Sequence, residues 1–203
     1  LFSSYRTWIF MKENDMNKKL DKKRNTDFYL LYTAAFLAVA LALYLRFFIN
    51  GKSLVWSHDG VPQHLNSLAY YGRYLRQVLY TLFIEHKLSL PLWDMHIGYG
   101  SDILTTLHYY VIGDPLTLLA VFVPESKTET LYAFLIFLRI YLAGIAFSRY
   151  SFYHKNSKQA TFMGTMIYIF AGWTIYAAMK HPYFSNPMIY LPLILLGIDK
   201  IYK

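Results

Sequence analysis

Residues 28–49 read FYLLYTAAFLAVALALYLRFFI, and this uninterrupted apolar run decides the fold. A membrane-crossing helix needs about 20 such residues, so the run is long enough to span a bilayer. It is too long for the apolar part of a signal peptide, and no small-x-small cleavage site follows it. The preceding residues 11–27 are rich in lysine and arginine, which predicts a retained helix with a cytoplasmic start.

The composition of the whole chain also indicates a membrane protein. Of its 203 residues 56% are hydrophobic and only 16% are charged, against about 25% charged in soluble domains. The net charge of +8 comes from basic residues beside the apolar blocks, which favours topology signals and lipid contacts over nucleic-acid binding. The absence of cysteine excludes disulfides, a thiolate nucleophile and cysteine-ligated zinc.

The pattern of apolar and charged segments predicts an all-α, polytopic transmembrane protein. Residues 1–27 would form a basic cytoplasmic segment, and residues 28–203 a transmembrane domain that is part of a longer protein. The predicted spans are 28–49, 131–150, 160–179 and 187–202. The outer loop, residues 50–130, contains an amphipathic stretch at 65–87 that predicts an interfacial helix. The segment 103–123 is interrupted by Gly113-Asp114-Pro115, which favours a re-entrant or surface-lying hairpin over a span.

The step His58-Asp59-Gly60 follows the first apolar run closely, in the predicted outer loop. A carboxylate near a surface of low dielectric constant can act as a general base. Asp-Gly-Val-Pro is also good turn chemistry, so Asp59 is open to a structural interpretation. The two interpretations are compatible.

Three cationic residues are further candidates for function. Arg139 lies near the middle of an apolar segment, where ionisable residues are usually functional. The alternative for Arg139 is a structural pair with Asp114 or another buried carboxylate. Lys180 and His181 lie at the predicted outer end of the third span, where they could neutralise a phosphate or simply anchor the helix at the interface.

Potential metal ligands and sugar-stacking residues are present but form no motif. Oxygen and nitrogen donors that suit a divalent metal are His58, His64, Asp94, His96, Asp102 and His108. No spacing such as His-x-x-x-His fixes a coordination geometry, so scattered interfacial histidines are the simpler interpretation and no cofactor is predicted. Trp56, Trp93 and Trp173 are typical of interfacial aromatic belts, although aromatic faces also stack on sugars.

Several short motifs occur in an order that resembles a known family. They are Trp56-Ser57-His58-Asp59-Gly60 with Gln63, Trp93 with Gly98 and Gly100, Tyr109-Tyr110, Gly113-Asp114-Pro115-Leu116, Lys180-His181-Pro182, Phe184, Asn186-Pro187 and Leu191-Pro192-Leu193. From about residue 27 to residue 203 the chain resembles the N-terminal part of bacterial YfhO-like multispanning membrane proteins. Those proteins are similar to glycosyltransferases of the GT-C architecture.

The resemblance implies an inverting glycosyltransferase in the bacterial plasma membrane. It would move a sugar from a polyprenyl-phosphate donor to a cell-envelope acceptor such as a teichoic-acid-like polymer, at the outer face. Asp59 matches the position of the catalytic base. The substrate-binding candidates are His58, Gln63, Arg139, Lys180 and His181. The bilayer, the donor and the acceptor would be its partners, without nucleic acid.

Two other functions remain open at the level of sequence. A transporter or flippase of lipid-linked sugars would use the same cations without needing a base. A non-catalytic assembly partner in the membrane would need neither.

Overall fold

The computed structural model describes the backbone of residues 2–202 and the side chains of residues 26–202. It confirms the predicted all-α class, because 77% of it is helical and strands are almost absent from the described chain. Most of the side chains in the predicted basic segment 1–27 lie outside the described residues, as does Lys203.

The helices cover the apolar blocks of the sequence, and α1 also extends through the basic residues before the first block. Their bounds are α1 Phe2–Ile49, α2 Asn66–Phe83, α3 Ile103–Leu107, α4 Thr128–Tyr153, α5 Lys158–Ile169, α6 Gly172–Lys180 and α7 Asn186–Ile201. Short π-helical turns occur at Gly60–Leu65 and His108–Ile112, and 3-10 turns at Pro115–Phe122, Glu125–Lys127 and Pro182–Ser185. Two short strands, β1 Trp93–Asp94 and β2 Ser101–Asp102, pair antiparallel with Trp93 opposite Asp102.

In the part of the chain that the structure describes, two single helices are long and apolar enough to cross a membrane. They are Thr26–Ile49, with a mean hydropathy of 2.1, and Glu125–Tyr153, with a mean hydropathy of 1.9. The first buries one face only, through residues spaced four apart: Phe28, Tyr32, Phe36, Ala40 and Tyr44. This spacing matches the 3.6-residue helical period, so the opposite face of α1 is left for lipid or another helix.

Aromatic rings join α1 to α4. The Tyr32 hydroxyl donates to the carbonyl oxygen of Tyr141 at 2.8 Å, and the two rings stack with centroids 5.2 Å apart. Gly144 allows this close approach, because a Cβ on it would collide with the Tyr32 hydroxyl oxygen. The Tyr32–Gly144 contact is therefore the closest part of a longer interface, in which Phe36 also packs on Tyr141 and Tyr44 on Phe137.

The second half of the chain packs around α4. Helices α5 and α6 are bent by 43° at a short break, so together they form either one broken span or a re-entrant element. Helix α7 packs along α4 and carries Pro192 in its interior. The predicted spans 160–179 and 187–202 coincide with the α5–α6 pair and with α7, and their crossing of the membrane stays a prediction.

The predicted outer loop folds into short elements against α2 and α4. Helix α2 covers most of the predicted interfacial stretch 65–87. The segment 103–123 is not one helix: Ile103–Ile112 is helical, and Asp114 and Pro115 then start a separate 3-10 turn. The Asp114 carboxylate accepts the N–H of Leu116 at 2.9 Å, which caps that turn.

Candidate functional site

Asp59 lies at the start of the π-helical turn Gly60–Leu65. Its backbone oxygen accepts the N–H groups of both Gln63 and His64, at 3.1 and 3.2 Å. Its side-chain Oδ1 accepts the Gln63 amide Nε2 at 3.1 Å, and the side chain is 37% exposed. Asp59 is thus a turn residue that also presents a carboxylate to solvent.

His181 joins this turn from the end of α6. Its Nε2 lies 3.6 Å from Asp59 Oδ2, within ion-pair range but longer than a hydrogen bond. Its Nδ1 lies 3.1 Å from Nε2 of His64, which is fully buried. The three side chains form a line from solvent to the interior, which we call the Asp59–His181–His64 line.

The protonation of the Asp59–His181–His64 line follows from burial. The pKa of His64 is lowered to about 4, mainly because burial disfavours its charge and secondarily because of His181, with Asp59 opposing. A neutral His64 that donates from Nε2 leaves its Nδ1 as a bare acceptor. That atom has no hydrogen-bond partner among the described residues. We assign this tautomer from the network: His181 then accepts at Nδ1 and carries its own proton on Nε2, facing Asp59.

Two tyrosines from the turn His108–Ile112 support the opposite side of Asp59. The Tyr110 hydroxyl donates to Oε1 of Gln63 at 2.9 Å, which orients the amide that reaches Asp59. The pKa of Tyr109 is raised, first by burial and then by Tyr110 and Asp59. Tyr109 is therefore a neutral hydroxyl group near neutral pH.

The ring of Trp56 contacts the remaining basic residues among the candidates. Lys180 Nζ lies 4.1 Å from the centroid of the Trp56 ring and 4.7 Å from that of Tyr176, in cation–π geometry. The exposed His58 ring stacks on Trp56 with centroids 5.0 Å apart. The edge of His181 also meets Trp56, at 6.2 Å. One indole therefore gathers three basic side chains beside Asp59.

Arg139 lies apart from this cluster. Its guanidinium is buried and donates to Asp114 Oδ2 from Nη2 at 2.5 Å and from Nε at 3.2 Å. Nε also donates to Asn186 Oδ1 at 3.0 Å. The geometry corresponds to the structural pair with Asp114, and the role of Arg139 in substrate binding stays a prediction. The link between Arg139 and the Asp59–His181–His64 line is Tyr183, whose ring lies under Arg139 at 5.1 Å and beside His64 at 5.4 Å.

The predicted metal-ligand types are dispersed. Within residues 26–202 no three of them form a group that could hold a metal ion. Asp94 and His96 bond to each other at 2.8 Å, and Asp102 caps α3 by accepting the N–H of Thr105. His108 bonds to the carbonyl of Thr105. Of the six residues, His64 belongs to the Asp59–His181–His64 line and His58 stacks on Trp56.

Sequence reasoning missed the contact of His64 with His181. The sequence singles out His64 only as a metal-ligand type. Its position in a turn that begins at Asp59, with a proline between them, was the one signal that could have placed it beside the carboxylate.

Comparison with known proteins gives one family. A family model described as "Bacterial membrane protein YfhO" matches residues 31–203. No curated protein and no solved structure matches the chain.

Proposed function

Since this chain belongs to the YfhO family of bacterial membrane proteins, we propose that it takes part in glycosyl transfer at a membrane surface. The donor would be a sugar on polyprenyl phosphate and the acceptor a cell-envelope polymer of the teichoic-acid type. The reaction would occur at the outer face of the plasma membrane, with the N-terminus of this multi-pass protein in the cytoplasm.

The single observation that carries the proposal is the setting of the Asp59 carboxylate. Gln63 orients one oxygen, His181 approaches the other, and more than a third of the side chain is open to an incoming group. A turn aspartate without a functional role needs neither partner. A general base needs both orientation and access.

The residues fit a sugar transfer that inverts the configuration of the anomeric carbon. Asp59 takes the proton of an acceptor hydroxyl as its oxygen attacks the anomeric carbon. The bond from that carbon to the phosphate oxygen breaks, and the lipid phosphate leaves with the electron pair. A positioned general base contributes about 10²–10⁴-fold to such a step.

Lys180 supplies positive charge for the leaving phosphate, and His181 supplies an N–H donor. Lys180 is held over Trp56 without a carboxylate partner among the described residues, so its ammonium is available to an anion. His181 keeps its Nε2 proton directed at the site because the buried, neutral His64 occupies its other nitrogen. Donors fixed before the reaction stabilise developing charge without reorganisation.

The test is transfer by the full-length protein in proteoliposomes. Labelled sugar on polyprenyl phosphate is supplied with a glycerol-phosphate polymer as acceptor. We expect Asp59→Asn to lower transfer by about 10²-fold or more, because Asn cannot accept the proton. Asp102→Asn removes a different carboxylate of the predicted outer loop but keeps a side chain that can cap α3. This variant should transfer sugar normally. Normal transfer by Asp59→Asn would refute the role of Asp59 as base.

One observation favours the transporter as a second candidate. The 43° break between α5 and α6 resembles the discontinuous helices that line substrate paths in transporters. The same proteoliposomes separate the two functions. Movement of the labelled lipid across the bilayer, unaffected by Asp59→Asn and without sugar transfer, would support the transporter.

A further inference from the structure

A second concave site lies between α2 and the β1–β2 hairpin, away from the Asp59–His181–His64 line. Its volume is about 490 Å³, within the range of small-molecule sites. We call it the hairpin pocket, and its polar and aromatic walls include Tyr70, Arg73, Gln77, Trp93, Asp94 and His96.

The hairpin pocket is held in shape by bonds between its two walls. The Tyr70 hydroxyl donates to Asp94 Oδ2 at 2.7 Å, and the Tyr74 hydroxyl donates to the Pro91 carbonyl at 3.2 Å. Gly100 closes the hairpin with φ of +101°, and a Cβ there would lie 2.9 Å from Met95 Sδ. The pocket is therefore preformed, which lowers the entropy cost of binding.

The charges in the hairpin pocket disfavour an anionic ligand. Hydrogen bonds from Tyr70 and His96 lower the pKa of Asp94 to about 2, so its carboxylate stays ionised. Arg73, the cation on the facing helix, already pairs with Glu125 at 3.2 Å. A ligand in the pocket would therefore lie beside the ionised Asp94 carboxylate and beside Arg73, whose charge is already paired.

The other walls offer an aromatic face and neutral hydrogen-bonding groups. Trp93 is 60% exposed, and the His96 side chain is 93% exposed. The Gln77 amide makes no hydrogen bond to any residue whose side chain the structure describes. An aromatic face beside an amide, an imidazole and an ionised carboxylate suits an uncharged ring with hydroxyl groups on its edge and C–H groups on its face.

We propose that the hairpin pocket binds a neutral saccharide unit, stacked on Trp93 and hydrogen-bonded by Gln77, Asp94 and His96. The inference rests on the proposed glycosyl transfer only in naming the ligand as a neutral sugar already attached to the acceptor polymer, because the ionised Asp94 would disfavour the phosphates of the polymer itself. The turn that contains His64 runs directly into α2, so Tyr70 lies roughly 9 Å of helical rise beyond His64, and a single acceptor chain would have to cover this separation to occupy the pocket and reach Asp59.

The test measures binding rather than transfer. The full chain is labelled with 5-fluorotryptophan in nanodiscs and titrated with neutral disaccharides (maltose, lactose and diacetylchitobiose) while fluorine resonances are recorded. The Trp93→Phe spectrum assigns the Trp93 signal. We expect at least one disaccharide to shift that signal saturably, and Gln77→Ala to weaken its binding by about 2–10-fold. The matched control Gln159→Ala, an exposed glutamine on α5, should leave binding unchanged.

Three outcomes would overturn the proposal. One is no saturable shift of Trp93 up to about 50 mM of every disaccharide. Another is a shift of Trp56 in its place, which puts the sugar at Asp59. The third is tighter binding of glucose 1-phosphate than of the neutral sugars, since the Asp94 wall should weaken an anion. If the Trp93 shift persists in Asp59→Asn while neither the wild-type protein nor any variant transfers sugar, the proposed reaction is rejected. The sugar site in the hairpin pocket is then retained.

Discussion

Removing the charge of Asp114 should destabilise the protein more than any other single exchange of a carboxylate for an amide. Asp114→Asn leaves the Arg139 guanidinium buried with only Asn186 and a neutral amide as acceptors. Asn keeps an oxygen for the N–H of Leu116, so the cap on Pro115–Phe122 survives and only the charge is lost.

The expected magnitude follows from the burial of both partners. Their side chains are 2% and 4% exposed, and breaking such a pair from one side costs about 3–5 kcal/mol. For a chain of this size that corresponds to a fall in Tm of roughly 6–20 °C. The exposed pair Arg73–Glu125 is the matched control, and Glu125→Gln should change stability by less than about 1 kcal/mol.

The assay is thermal unfolding in nanodiscs, measured for Asp114→Asn, for Arg139→Met and for the double variant Asp114→Asn/Arg139→Met. Because the double variant has no buried charge, it should regain most of the stability and lose only about 1 kcal/mol for the unpaired Asn186. If the double variant is as unstable as the sum of the single variants, the two residues are not coupled and the reasoning fails.

Two further predictions concern packing and pH. Gly144→Ala should destabilise the α1–α4 contact by about 1–3 kcal/mol, because its Cβ would collide with the Tyr32 hydroxyl, whereas Gly197→Ala, with open space around it, should be neutral by thermal unfolding. His64 has a folded-state pKa near 4 against an ordinary value of 6.5, so the native state resists its protonation and stability falls as pH drops from about 6.5 to 4. The loss is up to about 3 kcal/mol, and His64→Gln should flatten the dependence of Tm on pH over this window. An equal slope in both proteins would contradict the assigned burial of a neutral imidazole.

The fold class was predictable because apolar runs in this chain are long and bounded by charge. In lipid every backbone N–H and C=O group must find its hydrogen bond within the protein, so residues 28–49 are predicted to form a helix. The break within 103–123 was predictable too, because Pro115 lacks an N–H and Asp114 caps the turn that Pro115 begins.

The candidate site was predictable in its members but not in its contacts. Asp59 and His181 are both recognisable in the sequence, yet their approach depends on how α6 returns beside the first loop. The contact of His64 depends on a π-helical turn, where Pro62 has no N–H and both Gln63 and His64 donate to the Asp59 carbonyl. Periodicity in the sequence assumes 3.6 residues per turn and places such a residue wrongly.

The hairpin pocket was beyond sequence reasoning for a similar cause. The stretch 91–102 reads as a loop with two glycines, and its paired strands are only two residues long. The bond from Tyr70 to Asp94 joins segments with no common pattern. Trp93 is recognisable in the sequence as a ring on which a sugar could stack. The Gln77 amide that shares its pocket lies on α2, and no pattern in the sequence links the two residues.

The two hydrogen-bond partners of Arg139 are synthesised at different times, one before Arg139 and one after it. A charged residue at the centre of a span adds about 2.5–3.5 kcal/mol to insertion by the translocon. During synthesis Asp114 leaves the ribosome 25 residues before Arg139, and Asn186 leaves it 47 residues after. The arginine therefore reaches the bilayer with its counter-ion already made, and the amide joins when α7 arrives. Biogenesis of this chain should tolerate a pause after α4 and stall when Asp114 is missing.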